Sequence, residues 1–321
     1  MAEIIIGTGA AVPAYVLDND GVAELVETDD AWIRERTGIR QRHIAKEETT
    51  ASLAEEAACR AVVDAGIAPN RIDLIVVATA TANQRMPCVA CEVQEKIGAQ
   101  QAACFDLNAA CTGFVLAYQT AAAYLKAGIY RTALVIGSDC MSQVIDWQDR
   151  STCILFGDGA GAAVLQRQPG LSYLPVAGAD GRKGEVLSCQ ALYEEQPFYK
   201  KSGDSGFLRM DGQAVFKFAV RKVPEAILEV LESNGLSTGD IDWFVIHQAN
   251  RRIIESVARH LGISMERFLV NLQEYGNTSS ASIPILLDEG KHSGRLKKGQ
   301  RLVIAGFGAG LTWGASIVQI A

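Results

Sequence analysis

The chain has 321 residues, 30 of them basic and 37 acidic, which gives a formal net charge of −7 with neutral histidines. Apolar residues make up 49% and charged residues 21%. This balance excludes a disordered chain and is enough for a large core. The acidic excess argues against a nucleic-acid partner, because phosphate binding needs a basic surface.

The longest uncharged stretch, residues 107–125, contains polar residues such as Asn108 and Gln119. It favours a buried helix over a membrane span, so we expect no membrane association. No cationic segment precedes the first apolar run, which argues against a secretory signal peptide. Eight cysteines in a chain of this length then predict reduced thiols and a cytoplasmic protein.

Helix and strand patterns alternate along the whole chain, which predicts an α/β fold. A helix is expected from Ser52 to Ala65, where Ser52 and Glu55 form a capping-box pattern and Gly66 ends the helix. After five linking residues, the apolar run 72–78 predicts a buried strand.

The same pattern returns later in the chain. A helix predicted over 223–234 ends at Gly235, and a strand predicted over 241–246 follows after five residues. Gly66 and Gly235 are 169 residues apart. Chance similarity between two generic buried strands is the alternative to a duplicated α/β unit.

Two more pairs of apolar segments favour a duplication. Leu134 begins a triplet that matches one beginning at Leu302, at an offset of 168, and Gly161 begins a segment similar to that at Gly314. We therefore predict two halves, 1–168 and 169–321, with a site between them.

Cys111 lies between the strand-like run 102–107 and the uncharged helix predicted over 112–125. A thiol at a helix N-terminus is close to the positive end of the helix dipole, which favours the nucleophilic thiolate. A buried structural cysteine is the alternative interpretation.

His247 ends the predicted strand 241–246, at a carboxyl end where α/β proteins form sites. The other histidines, His43, His260 and His292, lie among polar or charged residues and are interpreted as surface residues. A hydrogen-bonded core histidine is the alternative for His247.

Asn277 follows the strand-like run 268–271, as Cys111 follows its own strand. If the two residues are equivalent in the two halves, they face each other across the molecule. A simple helix cap is the alternative role for this asparagine.

Four segments around these residues resemble β-ketoacyl-acyl-carrier-protein synthase III. They are AACTGF at 109–114, HQAN at 247–250, GNTSSASIP at 276–284 and GFGAGLTWG at 306–314, and ERTGIR at 35–40 extends the resemblance over essentially the whole chain. The resemblance implies a thiolase-like fold, in which a duplicated α/β unit forms αβαβα layers. The Cys–His–Asn set distinguishes this family from thiolases and elongating synthases.

The resemblance also implies a mechanism. Cys111 takes the acyl group from an acyl-CoA, and the backbone amides of Cys111, Gly308 and Ala309 hold the oxyanion. His247 and Asn277 then stabilise the enolate that forms when malonyl-acyl carrier protein loses carbon dioxide. The reaction requires no metal and no cofactor, since acyl-CoA is a substrate.

Further positions resemble the family's binding residues. The implied CoA contacts are Trp32, Arg36, Thr37, Arg150, Met210, Gly212, Phe216, Ala249 and Asn250. The implied contacts to the acidic carrier protein are Lys217, Arg251 and Arg252. An interface tryptophan and ordinary surface cations are the alternatives.

Met86 stands where the family closes the acyl pocket from the partner subunit, so the resemblance implies a homodimer. Many members have an aromatic residue there, whereas methionine is flexible. We therefore predict that primers longer than acetyl are tolerated.

Several alternatives remain open at this point. A related enzyme could serve a specialised pathway, or transfer acyl groups without forming a carbon–carbon bond. A thiol-redox or metal-binding protein could use Cys88 and Cys91, although zinc would need a second CxxC pair. A non-catalytic partner subunit is the fourth possibility, and the intact Cys–His–Asn set argues against it. The glycine-rich segment 157–161 is expected to form a turn and not a phosphate loop.

Overall fold

The computed structural model describes residues 1–191, 197–198 and 205–321. Its strands are β1 (Ala2–Ala11), β2 (Val16–Asp18), β3 (Gln41–His43), β4 (Leu74–Ala78), β5 (Ala103–Leu107), β6 (Thr132–Cys140), β7 (Asp158–Gln168), β8 (Val176–Ala179), β9 (Leu187–Cys189), β10 (Leu208–Met210), β11 (Trp243–Ile246), β12 (Arg301–Gly308) and β13 (Thr312–Ile320). Its α-helices are α1 (Asn19–Ala23), α2 (Asp30–Thr37), α3 (Thr50–Ala65), α4 (Val89–Ile97), α5 (Gly113–Ala127), α6 (Arg150–Cys153), α7 (Gly212–Glu232), α8 (Arg251–Leu261), α9 (Leu272–Tyr275) and α10 (Ser282–His292).

One strand order occurs twice in the main sheet. The first run is β5-β4-β6-β7-β1, and the second is β11-β12-β13-β8. In the first run, β5 pairs in parallel with β4. The corresponding neighbour of β11 is Phe268, which makes a single parallel bridge to Phe244. The two runs join where β1 pairs in parallel with β13 through Ile4 and Ile5.

The helices and strands form five layers, and three apolar cores hold these layers together. Helices α3 and α4 pack on one face of β4 and β6, and α7 and α8 pack on the second run of strands. Between them, α5 and α10 share a core with the opposite faces of β4 and β12. This is the αβαβα arrangement predicted from the sequence, and each layer buries the apolar stripe of its neighbour.

The register of the strands corrects one of the sequence matches. Val76 pairs with Val135, and Val245, which lies 169 residues after Val76, pairs with Ile304, which lies 169 after Val135. The match of Leu134 with Leu302 at an offset of 168 was therefore wrong by one residue. A shift of one residue turns every side chain to the other face of a sheet, so the offset of 169 is the structural one.

Two predicted helix starts were too late. Helix α3 is capped by Thr49, which forms a reciprocal capping box with Ser52, so Glu55 takes no part in the cap. Helix α7 begins after Asp211, whose carboxylate accepts two backbone N–H groups, eleven residues before the predicted start at 223. Pro224 lies inside this helix.

Two other local predictions were wrong. The strand-like run 268–271 makes only the bridge at Phe268. The glycines of 157–161 lie mostly within β7 instead of in a turn. A Cβ on Gly161 would lie 2.5 Å from the backbone nitrogen of Ile285, so glycine allows α10 to approach the strand closely.

No helix in the described ranges has the combined length and apolarity needed to cross a bilayer.

Candidate active site

A cavity of about 810 Å³ brings together the three residues singled out in the sequence, Cys111, His247 and Asn277. Ser279 and Phe307 also line it, and sequence analysis gave neither residue a role. The site lies where β5 and β11 end and short turns lead into the next helices. Such carboxyl edges of α/β sheets are common places for ligand sites.

Cys111 is buried in a 3₁₀ turn, Ala110–Thr112, that leads directly into α5. Ala110 has a φ of +45°, a conformation that L-residues adopt rarely and that turns the chain sharply after β5. The thiol donates a hydrogen bond to Ser279 Oγ at 3.5 Å. The predicted place of Cys111, next to a helix N-terminus, is therefore the one observed.

The expectation of a favoured thiolate is not met in the free protein. Burial raises the pKa of the Cys111 thiol to about 12. The hydrogen bond to Ser279 acts in the opposite direction, and the negative charge of Asp139 adds to the increase in this pKa. At neutral pH Cys111 therefore carries its proton, and attack on a carbonyl requires that this proton be transferred.

His247 follows β11 and is buried, with its ring edge-on to Phe307 at 5.4 Å between ring centroids. Burial lowers its pKa to about 3, so the imidazole is neutral at pH 7. Its Nδ1 lies 2.7 Å from Ser282 Oγ, which also accepts the backbone N–H of Gln248 at 3.5 Å. We infer that the Ser282 hydroxyl donates to Nδ1, since this satisfies both groups and leaves Nε2–H as the free donor.

Asn277 is also buried, and its backbone N–H donates to the carbonyl of Leu155. Its Oδ1 accepts the backbone N–H of Ser279 at 2.9 Å, which leaves the Nδ2 hydrogens as the donors of this side chain. The expected equivalence of Asn277 and Cys111 was wrong, because the residue 169 positions after Cys111 is Ser280. Asn277 instead corresponds to Asn108.

Gly308 and Ala309 line the cavity beside Cys111. A Cβ on Gly308 would lie 2.9 Å from the backbone nitrogen of Cys111 and 3.0 Å from that of Thr112. Glycine at 308 therefore leaves space in front of these amides. This geometry suits an anion-binding position of the kind predicted for Cys111, Gly308 and Ala309.

Most of the predicted CoA contacts line the same cavity. They are Trp32, Arg36, Thr37, Met210, Gly212, Phe216, Ala249 and Asn250. Arg150 is outside the lining, but its guanidinium carbon lies 5.0 Å from the centroid of the Trp32 ring, and that of Arg36 lies at 5.9 Å. The tryptophan and the two cations thus form one cluster at the cavity.

The predicted carrier-protein contacts Lys217, Arg251 and Arg252 are exposed. Arg252 lies over the ring of Phe216, a cavity residue, with its guanidinium carbon 6.0 Å from the centroid. Arg251 forms an ion pair with Glu255 at 2.9 Å, so part of its charge is already compensated. Lys217 and Arg252 are therefore the stronger candidates on this surface.

Met86 and the CxxC pair lie outside the cavity lining. Met86 is 81% exposed, so it closes no pocket within its own chain. Cys88 and Cys91 lie at the start of α4 with their sulfur atoms 3.4 Å apart, and both are free thiols.

Comparison with known proteins identifies the family. The model of 3-oxoacyl-[acyl-carrier-protein (ACP)] synthase III matches residues 105–181, and that of its C-terminal part matches 231–320. A β-ketoacyl-[acyl-carrier-protein] synthase III from Clostridium acetobutylicum is 48% identical over 317 residues, or 98% of each chain. The chain belongs to the β-ketoacyl-acyl-carrier-protein synthase III family.

Solved structures of this family have the same fold. The 3-oxoacyl-[acyl-carrier-protein] synthase III of Aquifex aeolicus superposes with a TM-score of 0.93 at 42% identity, covering 99% of this chain and all of the other. A priming β-ketosynthase from the R1128 polyketide pathway gives 0.92 at 38% identity, covering 99% and 96%. The resemblance to β-ketoacyl-acyl-carrier-protein synthase III, the thiolase-like fold and the condensing acyltransferase activity of fatty-acid biosynthesis are thus confirmed.

Proposed function

We propose that this protein condenses a short acyl-CoA primer with malonyl-acyl carrier protein and so initiates fatty-acid synthesis. The observation that carries the proposal is the convergence of Cys111, His247 and Asn277 in one buried cavity. The products are β-ketoacyl-acyl carrier protein, CoA and carbon dioxide. Neither a metal nor a redox cofactor takes part.

In the first half-reaction, Cys111 Sγ attacks the thioester carbonyl of the primer. The developing oxyanion lies in front of the Cys111 amide, in the space that glycine leaves at 308. The C–S bond to CoA then breaks, and the proton given up by Cys111 leaves with the CoA thiol. The acyl group remains on Cys111 as a thioester.

In the second half-reaction, the C–C bond of the malonyl carboxylate breaks and its electron pair forms an enolate. Nε2–H of His247 and the Nδ2–H of Asn277 donate to the enolate oxygen, and the neutral state of His247 suits this role. The carbanion attacks the acyl carbonyl, and Cys111 leaves as a thiolate that regains a proton from water. Donors without negative charge favour the forming enolate.

The binding residues act at the other end of the cavity. We assign Trp32 and Arg150 to the adenine of CoA, because a ring and a guanidinium can hold a base between them. Arg36 would contact phosphate, with Thr37 beside it. Lys217, Arg251 and Arg252 would contact the acidic carrier protein.

The proposed assembly is a homodimer of chains with halves 1–168 and 169–321. The repeated strand order supports the two halves. Strand β5 supports the dimer, because all five of its residues are half-buried and one edge is unpaired within the described chain. An exposed Met86 would then complete the partner's acyl pocket and admit primers longer than acetyl.

The first test is incubation with acetyl-CoA alone, followed by intact-mass measurement and peptide mapping. We expect one acetyl group on Cys111, and comparable labelling by butyryl-CoA. Strong preference for acetyl would contradict the role of Met86 only. Absence of an adduct with any acyl-CoA would overturn the proposed function.

The second test separates the half-reactions with His247→Ala. We expect acylation of Cys111 to persist, while carbon dioxide release from malonyl-acyl carrier protein falls by about 100-fold or more. Equal loss of both steps would show that the roles are misassigned. A protein that is acylated but releases no carbon dioxide even as wild type would be an acyltransferase of a specialised pathway.

A further inference from the structure

The turn that carries Cys111 has a counterpart in the second half of the chain. Each is a three-residue 3₁₀ helix, Ala110–Thr112 and Ser279–Ala281, and the two are 169 residues apart. Each begins with a residue at positive φ, +45° at Ala110 and +50° at Ser279. Ser280 therefore occupies the backbone position that corresponds to Cys111.

The strand residue that faces each turn differs between the halves. Gly308 of β12 faces the amide of Cys111, whereas the corresponding position of β6 holds Asp139. The Asp139 carboxylate accepts the backbone N–H of Ser280 at 3.1 Å and its hydroxyl at 2.6 Å. A fixed carboxylate oxygen thus lies against Ser280 as the substrate oxyanion would lie against Cys111.

Asp139 is completely buried, and its other oxygen accepts hydrogen bonds from the three residues that follow β4. The donors are Ala80 N–H at 2.8 Å, Thr81 Oγ at 3.0 Å and Thr79 Oγ at 3.3 Å. No ion pair to Asp139 is found among the described residues. The carboxylate is therefore held by five hydrogen-bond donors and not by an ion pair. Because a buried carboxylate that loses its donors is costly, these bonds fix the turn 279–281 against the segment after β4.

The anchored turn holds two groups of the active site. Ser279 accepts the hydrogen bond of the Cys111 thiol, and its own N–H fixes the amide oxygen of Asn277. A displacement of this turn would therefore move the asparagine amide that faces the second substrate. The Cys111 amide, by contrast, faces β12, where Gly308 leaves space in front of it.

We propose that Asp139 is a positioning residue for the decarboxylation half-reaction. Its carboxylate holds the turn 279–281 from the position beside Ser280 that corresponds to the oxyanion position beside Cys111. The proposal rests on the proposed function. Neither the sequence motifs nor the cavity lining indicated a role for this residue, because Asp139 touches no part of the cavity.

The test compares Asp139→Asn with Asp158→Asn. The latter also removes a buried carboxylate, which accepts bonds from Ala45 and Ser142 away from the turn. In Asp139→Asn we expect acylation of Cys111 to change by less than about tenfold, because the turn also carries the hydrogen-bond partner of the thiol and the charge of Asp139 acts on its pKa. Carbon dioxide release should fall by about 100-fold with KM for malonyl-acyl carrier protein unchanged, as for a displaced catalytic group. Asp158→Asn should change the two half-reactions equally or not at all.

Equal loss of both half-reactions in folded Asp139→Asn, or undiminished decarboxylation, would overturn the proposal. If that variant does not fold, Ser280→Ala decides, because it leaves Asp139 in place and removes the hydroxyl that bonds its carboxylate at 2.6 Å and the Ala78 carbonyl at 2.9 Å. It should slow decarboxylation selectively, and wild-type rates would overturn the proposal. Failure of the proposed function is distinguishable, since wild-type protein would then form no acyl-Cys111.

Discussion

At the scale of single residues, burial sets the protonation states of the site. Both Cys111 and His247 are kept uncharged in the free protein, the thiol by a raised pKa and the imidazole by a lowered one. A neutral pair avoids the cost of a buried unpaired charge until substrate arrives. For His247 this state has a consequence for stability that can be measured.

We expect His247 to make the protein less stable as the pH falls. Below about pH 6.5 an unfolded histidine binds a proton, whereas buried His247 does so only near pH 3, so acid favours the unfolded chain. Between pH 6.5 and 5 this amounts to about 2 kcal/mol of unfolding free energy. In urea unfolding, the free energy of unfolding of His247→Gln should fall by about 2 kcal/mol less than that of wild type over this pH range. An identical pH dependence in the two proteins would contradict the buried neutral state.

Site residues could be predicted from the sequence where their side chains are chemically distinct from those of their neighbours. Cys111, His247 and Asn277 were found in the sequence, because a thiol, an imidazole and an amide at strand ends suggest a site. Ser279 and Ser282 were not, although both lie in the segment 276–284. The three serines within residues 279–282 are chemically alike, and only the fold shows which hydroxyl reaches the thiol and which reaches the imidazole.

At the scale of elements, the glycines of β12 place this strand against the turn that carries Cys111. A Cβ on Gly308 would reach the Cys111 amide at 2.9 Å, whereas a Cβ on Gly306 would make its nearest contact at an ordinary 3.4 Å, with Val115. The two glycines are two residues apart on one strand and so face the same side. They form a matched pair for substitution.

Gly308→Ala should slow acylation of Cys111 by about 100-fold, because the methyl group fills the space in front of the amide. Gly306→Ala should remain near the wild-type rate. Stopped-flow release of CoA thiol from acetyl-CoA measures this step directly. Equal rates in the two variants would rule out an oxyanion position at Gly308.

Element boundaries were predictable only in part. Gly66 ended α3 as expected, because a glycine in the left-handed conformation is a local signal. The starts of α3 and α7 were missed, since Thr49 and Asp211 become caps only when the chain folds into a helix at that point. The run 268–271 was predicted to be strand-like, because an apolar pattern alone does not distinguish a strand from a segment with a single bridge.

At the scale of the whole molecule, the edge strand β5 predicts assembly. Phe105→Lys should raise the dimer dissociation constant by about 100-fold or more, since the charge would have to be buried at the proposed interface. Val63→Glu, at an 80% exposed position on α3, is the control that should stay dimeric. Sedimentation velocity at micromolar concentration measures both. A wild-type monomer, or dimeric Phe105→Lys, would exclude an interface at β5.

The duplication was visible in the sequence because glycine stops and strand ends repeat at one spacing. How the halves meet was not visible, since the contact between β1 and β13 involves only two residues of each strand. Two strands this far apart in the chain leave no local sequence pattern of their pairing. They meet only when the layers between them have packed.

The pairing of the first strand with the last has a consequence for synthesis. The strands β5, β4, β6, β7 and β1 are all present once residue 168 has left the ribosome. One edge of β1 nevertheless pairs only with β13, which comes about 300 residues later in the chain. Until β13 has been made, the nascent first half therefore exposes an unpaired strand edge and the uncovered faces of α5, the kind of surface that chaperones protect from aggregation.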